Sequence, residues 1–264
     1  MSNSSLVTYT KISPFKTSPR NHKIDTISIH CMAGQLSVET CGNIFQDSKK
    51  KASSNYGIGS DGRIAMYVEE KDRSFCTSNR DNDMRAVTIE VASDSKDPYK
   101  VNDVVYDSLI RLLVDICQRN DIKKLLWKGD KSLIGQVDKQ NMTVHRWFAA
   151  KACPGDYLYN KHAEIAKTVN TLLKEATVPQ YEVGKRYTLQ AERKVFTGPG
   201  TEYPRKKYDE LNKSAKRKDI DGDGALDAGS TITCKEVKKG KDDIWIRFPS
   251  GWIRAYNKGK VFLK

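Results

Sequence analysis

The chain has 264 residues, of which 38% are hydrophobic and 9% aromatic, and it carries a formal net charge of +13 at pH 7. That length suits two domains better than one large core, and no apolar run approaches the ~18 residues of a membrane span. The start, Met1-Ser2-Asn3-Ser4-Ser5, lacks the basic and apolar regions of a secretory signal. A soluble protein made in the cytoplasm, with no membrane insertion and no secretory route of its own, is therefore expected.

The charge is uneven. Residues 185–264 hold 20 Lys and Arg against 11 Asp and Glu, so the C-terminal third carries most of the excess. Such a patch favours polyanions: nucleic acid, an anionic membrane, or the acidic polymers of a bacterial wall. The cysteines at 31, 41, 76, 117, 153 and 234 show no C-x-x-C pairing and read as reduced thiols.

In chain order, Lys23–His30 reads as a strand through the β-branched run Ile24, Thr26, Ile27 and Ile29. It ends at His30 before the Gly34 loop, where open α/β sheets place their sites. Ser37–Phe45 predicts a short amphipathic helix with Ser37 as N-cap. Residues from Asn55 to Val68 predict a hairpin around Asp61-Gly62. Ala86–Val91 is a further strand, and Glu90 within it would be costly to bury unless paired, metal-bound or used as an acid or base. A water-facing edge strand is the alternative. Val101–Arg119 has a helical period, residues 120–141 read as connecting loop, and Met142–His145 as a last short strand. Asp156–Ala176 predicts a second long helix, followed by a linker over 177–184. The order β, α, hairpin, β, α, β, α describes an α/β domain with a mixed sheet over residues 1–176.

From residue 185 the helical period disappears. Tyr187–Val195, Ser230–Lys235, Asp243–Phe248 and Gly251–Tyr256 predict a small all-β barrel or sandwich over 185–264. Asp219, Asp221, Asp223 and Asp227 have the spacing of a calcium loop. Ser230 stands where the bidentate glutamate belongs, however, which leaves a tight acidic turn as the alternative.

The segment Val144-His145-Arg146-Trp147-Phe148-Ala149-Ala150-Lys151-Ala152-Cys153-Pro154-Gly155-Asp156 places an imidazole, an ammonium and a thiol close together. Imidazole and thiolate suit zinc, and His30 is the best third donor. Three protein ligands leave the fourth corner of a tetrahedral zinc open, which is the catalytic arrangement. Amide hydrolysis then needs a base, a role that fits Glu90, and a cation for the oxyanion, a role that fits Lys151.

The stretches Ile27-Ser28-Ile29-His30-Cys31-Met32-Ala33-Gly34, Ser54-Asn55-Tyr56-Gly57-Ile58, Val87-Thr88-Ile89-Glu90-Val91 and His145 through Gly155 resemble the type-2 N-acetylmuramoyl-L-alanine amidases, which share the fold of peptidoglycan-recognition proteins. The resemblance covers roughly residues 20–175. It implies zinc ligands at His30, His145 and Cys153 and an oxyanion lysine at Lys151. Some members of the family use a tyrosine ahead of the hairpin strand and others a glutamate on the central strand. Ser54 stands at the apparent tyrosine position, with Tyr56 two residues on, which favours Glu90.

The whole set resembles endolysins of phages and prophages of Gram-positive, especially clostridial, hosts. These enzymes leave the producing cell through a holin, so no signal peptide is expected. Residues Phe196 to Pro204 and Gly251-Trp252-Ile253 resemble bacterial Src-homology-3-like wall-binding modules. That likeness implies that Tyr203 and Trp252, and with them Trp245, line a glycan or peptide groove, although barrel core is the competing role for the tryptophans. Competing functions are a non-catalytic peptidoglycan-binding protein of the same fold, a basic nucleic-acid binder, for which no aromatic-basic motif is present, and a glycosidase, which would need paired carboxylates.

Overall fold

The β-branched and aliphatic runs of the N-terminal half pair into one sheet with its helices stacked against it. The structure is a computed structural model describing residues 2–176 and 178–264, and the chain divides into two compact units, Met1–Leu173 and Lys174–Lys264.

In the first unit the strands are β1 (Tyr9–Thr10), β2 (Lys16–Thr17), β3 (Thr26–Cys31), β4 (Tyr56–Ile58), β5 (Ile64–Met66), β6 (Arg73–Ser74), β7 (Ala86–Val91) and β8 (Met142–Thr143). The helices are α1 (Val38–Ile44), α2 (Arg80–Arg85), α3 (Asp103–Arg119) and α4 (Gly155–Ala176). Six strands form the main sheet in the order β1-β5-β4-β7-β3-β8, while β2 and β6 pair separately. Within the main sheet, among the described residues, the β4–β5 hairpin is antiparallel and β1–β5, β4–β7, β7–β3 and β3–β8 are parallel, so the sheet is mixed, as the element order predicts.

Strand period assigns the faces. Ile27, Ile29, Val87 and Ile89 pack with Leu109, Leu112, Leu113 and Ile116 of α3 and Leu158, Ile165 and Val169 of α4 in one core. The alternate residues Ser28, His30, Thr88 and Glu90 are polar and belong to the opposite face. Part of that second face is closed by α1, whose Val38 and Cys41 pack with Phe45, Ala65 and Tyr67. Tyr67 lies so close over Gly57 that a Cβ there would sit 2.4 Å from its ring.

Helix ends follow their sequence signals: Ser37, Asn79 and Asn102 accept backbone N–H groups at the starts of α1, α2 and α3. The Asp61-Gly62 turn is closed with Gly62 at φ +79, a conformation glycine adopts freely. Met142–His145 differs from expectation, because the strand stops at Thr143 and His145 opens a 3-10 turn, His145–Trp147.

The second unit holds β9 (Arg186–Thr188), β10 (Arg193–Lys194), β11 (Ala225–Leu226), β12 (Thr231–Thr233), β13 (Glu236–Lys239), β14 (Asp243–Phe248), β15 (Gly251–Asn257) and β16 (Lys260–Val261), with one helical turn, α5 (Lys213–Lys216). An antiparallel meander β13-β14-β15-β16 is joined by the pairs β12–β9 and β10–β11 around a core including Leu189, Val195, Ile232, Ile246 and Ile253. The expected single strand Tyr187–Val195 is two, Arg186–Thr188 and Arg193–Lys194, and these pair with different partners. The expected linker over 177–184 is partly built into this unit. The buried Tyr181 donates its hydroxyl to the carbonyls of Ala255 and Leu263, while Thr177 lies outside the described residues.

Leu113 is fully buried between α3 and the sheet. Leu113→Ala should lower the unfolding free energy of the first unit by about 2–5 kcal/mol, read by urea denaturation; a loss below about 1 kcal/mol would mean that the site collapses around the deletion.

Candidate metal centre

Two strands and two loops bring donors together near the C-terminal ends of the parallel strands. The β3–β7 register sets His30 beside Glu90, and Gly57 of β4 beside Glu90 on the other side. The turn after β8 brings His145, and the loop into α4 brings Cys153. The backbone N–H of Arg146 donates to the carbonyl of Cys153 at 3.1 Å, tying the two loops together. The Arg146 guanidinium adds bonds to the Ala152 carbonyl and the Asp156 carboxylate.

One donor atom from each of His30, His145 and Cys153 lies within 4.8 Å of the others. Cys153 Sγ lies 3.3 Å from His30 Nδ1. Ser28 fixes which nitrogen of His30 is free. Its hydroxyl proton goes to the Thr143 carbonyl, so it accepts from His30 Nε2 at 3.1 Å and leaves the Nδ1 lone pair facing Cys153. His145 Nε2 meets the Ser78 hydroxyl at 3.1 Å.

The electrostatics keep the imidazole lone pairs available. Burial, reinforced by His145 and His162, pushes the His30 pKa down to about 3. Burial and the charge of Lys151 lower His145. A hydrogen bond with Cys31, burial and the Glu90 carboxylate raise Cys153. The Glu90 side chain is 17% exposed, and its Oε1 lies 3.9 Å from His30 Nδ1. Burial, then Cys31, raises its pKa to about 8. Its Oε2 is buried and has no hydrogen-bond partner. Two neutral imidazoles, a thiol and an orphaned carboxylate oxygen form a donor set that suits a borderline-soft divalent ion.

All five residues that the sequence singles out here are therefore placed. His30, His145, Cys153 and Glu90 converge, and the exposed Lys151 lies near enough for its charge to act on His145. Tyr56, two residues past the apparent tyrosine position, points away, donating its hydroxyl to Glu70 and accepting from the Ser4 amide. Sequence reasoning missed Cys76, whose Sγ lies 3.9 Å from Glu90 Oε1 and which forms a second potential donor group with His30 and Glu90. Its loop is held by the Asp83 carboxylate, which accepts from the Cys76 and Thr77 amides and the Thr77 hydroxyl. Nothing in the local spacing marks Cys76. Ser28 had a signal, its two-residue offset from His30 along a strand.

In the second unit, Trp245 and Trp252 are 2% and 8% exposed. Trp252 still forms part of the wall of an open cavity of about 630 Å³, whereas Tyr203 is not among its lining residues and covers Gly198. Asp219, Asp221 and Asp223 do approach one another. Asp219 also accepts the amides of Gly222, Asp223 and Gly224, and Arg205 pairs with Asp223. All six cysteines are free thiols.

The family model of N-acetylmuramoyl-L-alanine amidase matches residues 20–156, just over half of the chain. The chain belongs to that amidase family. Among solved structures it is similar to a mutant endolysin from Bacillus subtilis, at 12% identity over 61% of this chain and 97% of that one, with a TM-score of 0.44. It is also similar to an endolysin N-acetylmuramoyl-L-alanine amidase from Clostridium intestinale, at 17% identity over 60% and 92%, with a TM-score of 0.41. No curated protein matches.

Two outcomes follow from the site's surroundings. Ser28→Ala should weaken metal binding by about 10- to 100-fold, measured by competition with a chromophoric chelator; unchanged affinity would remove Ser28 from its orienting role. The second concerns pH. His162 is fully buried, and burial lowers its pKa from 6.5 to about 4, as it lowers that of His30. Below about 6.5 the unfolded chain therefore binds protons that the folded chain refuses. Metal-free protein should lose stability as pH falls from ~6.5 to ~4, by up to about 1.4 kcal/mol per pH unit per histidine. Urea midpoints that stay flat across this window would contradict it.

Proposed function

We infer that this chain is a zinc-dependent endolysin that cleaves the amide between N-acetylmuramic acid and L-alanine in peptidoglycan. The observation that carries the reading is the convergence of His30, His145 and Cys153 donor atoms within 4.8 Å, inside a chain of the amidase family. These three residues would hold the zinc. Bound there, zinc supplies Lewis acidity and activates water at neutral pH.

The remaining work falls to the chain's own side chains. Glu90, with Oε2 unpartnered, takes the proton of the attacking water and passes it to the leaving nitrogen. Lys151, exposed beside His145, presents its ammonium to the oxygen that becomes negative as the carbonyl is attacked. Arg146 keeps the loops of His145 and Cys153 in register during turnover.

The second unit is proposed as a Src-homology-3-like module that holds the enzyme on a Gram-positive, in particular clostridial, wall. The supporting features are its small antiparallel core and its basic charge. The enzyme would be made in the cytoplasm of the producing cell and reach the wall through a phage holin.

Three variants test the division of labour on purified wall, with release of L-alanine N-termini as the readout. Cys153→Ser should lose both zinc and activity. Glu90→Gln should retain zinc while losing about 10²- to 10⁴-fold in rate. Lys151→Ala should retain zinc and lose about 10²- to 10³-fold. Wild-type protein that binds wall without releasing L-alanine termini would favour the non-catalytic reading, and full activity in Cys153→Ser would end the zinc mechanism.

A further inference from the structure

The cations of the second unit are not spread evenly over its partners. Arg205 pairs with Asp223 and Arg254 with Asp243, while Arg193 and Lys260 lie over the ring of Phe262. A different set surrounds two adjoining cavities, of about 630 and 420 Å³, which share Lys235, Phe248 and Pro249 in their walls. Lys206 and Arg247 line the first and Arg186 and Lys218 the second, and neither wall contains an Asp or Glu. Among the described residues Arg186, Lys206 and Lys235 make no ion pair. Arg247 reaches only the exposed Glu236 across the β13–β14 ladder, at 3.4 Å.

The rest of the lining narrows the ligand. Hydroxyls and an amide come from Thr197, Ser250, Thr231, Thr233, Ser214 and Asn212. The aromatic members, Phe248 and Trp252, are 5% and 8% exposed, so neither offers an open ring face. Stacking of nucleobases or of sugar rings needs such faces. What remains is a run of cations interleaved with hydroxyl partners, a surface that recognises repeated negative charge on a flexible, hydroxyl-bearing chain.

We propose that these two cavities form one groove that binds a polyol-phosphate polymer, with Arg186, Lys235 and Arg247 meeting successive phosphates. The proposal deepens the reading of the second unit as a wall-binding module, and it rests on that reading for the polymer's biological source. The phosphate chemistry itself can be tested apart from hydrolysis.

The experiment uses the full chain and a synthetic glycerol-phosphate oligomer, with affinity measured by calorimetry at several salt concentrations. The groove variant carries Arg186→Gln, Lys235→Gln and Arg247→Gln; the charge-matched control carries Lys238→Gln, Lys241→Gln and Lys258→Gln, three exposed positions outside both cavities. The groove variant should bind at least about tenfold more weakly, with the slope of log affinity against log salt reduced by about 2. The control should stay within about twofold. Equal weakening of both variants would show diffuse charge instead of a groove, and no weakening of the groove variant would refute the site. A single-stranded DNA oligomer of equal charge that binds as tightly, and is lost with the same three substitutions, would reassign the groove to nucleic acid.

Two further arms give the source. Retention on intact sacculi but not on sacculi stripped of phosphate polymers indicates a wall-linked polymer, and retention on vesicles bearing a lipid-anchored polyol phosphate indicates a membrane-anchored one. Retention on neither overturns the proposal. Hydrolysis of stripped sacculi, measured in parallel, should be equal in wild type and groove variant; its absence in both would count against the amidase reading and leave the groove result standing.

Discussion

The parallel ladder between β3 and β7 is the constraint on which the site depends. Because the strands run in register, His30 and Glu90 stand side by side at the same end of the sheet. A one-residue slip would exchange these polar side chains with Ile29 and Ile89, turning imidazole and carboxylate into the core packed by α3 and α4. The apolar alternates thus hold the register that the polar alternates need. This links folding energy to site geometry directly: the residues that bury most completely are the ones that aim the donors.

The polar face of the same sheet has its own internal order. Asn55, Ser74 and Thr88 satisfy one another's backbone and hydroxyl groups beneath the site, and Ser28 ties His30 to the Thr143 carbonyl. Against that background the unpartnered Glu90 Oε2 stands out, since buried polar atoms without partners are rare in folded proteins. An orphaned acceptor beside two imidazoles and a thiol is a cost that the proposed acid–base role of Glu90 would account for. Position and charge state together make this cluster the working centre of the proposed mechanism, while Cys153 also packs against the core.

Much of this was legible in the sequence because the signals are local and periodic. β3 and β7 announced themselves by β-branched density, α3 and α4 by their helical period, and the hairpin by Asp61-Gly62. The two-residue strands β1, β2 and β6 are too short to have a period, and their pairing depends on long-range partners such as Tyr9 with Ala65. Cys76 escaped for a related reason: what brings it to Glu90 is the Asp83-braced loop, a tertiary fact with no spacing of its own. In the second unit, composition revealed short strands and excess charge. Which lysines are paired and which line the groove is decided by strand register that no local pattern encodes. Tyr203, picked out by its motif, covers Gly198 and is absent from the wall of the Trp252 cavity for the same reason.

Zinc K-edge X-ray absorption on the zinc-loaded chain bears most directly on the central claim, that three separated side chains share one ion. The account predicts a first shell of two imidazole nitrogens and one sulfur. A shell without sulfur, or one with two sulfurs drawn from Cys153 and Cys76, would contradict it.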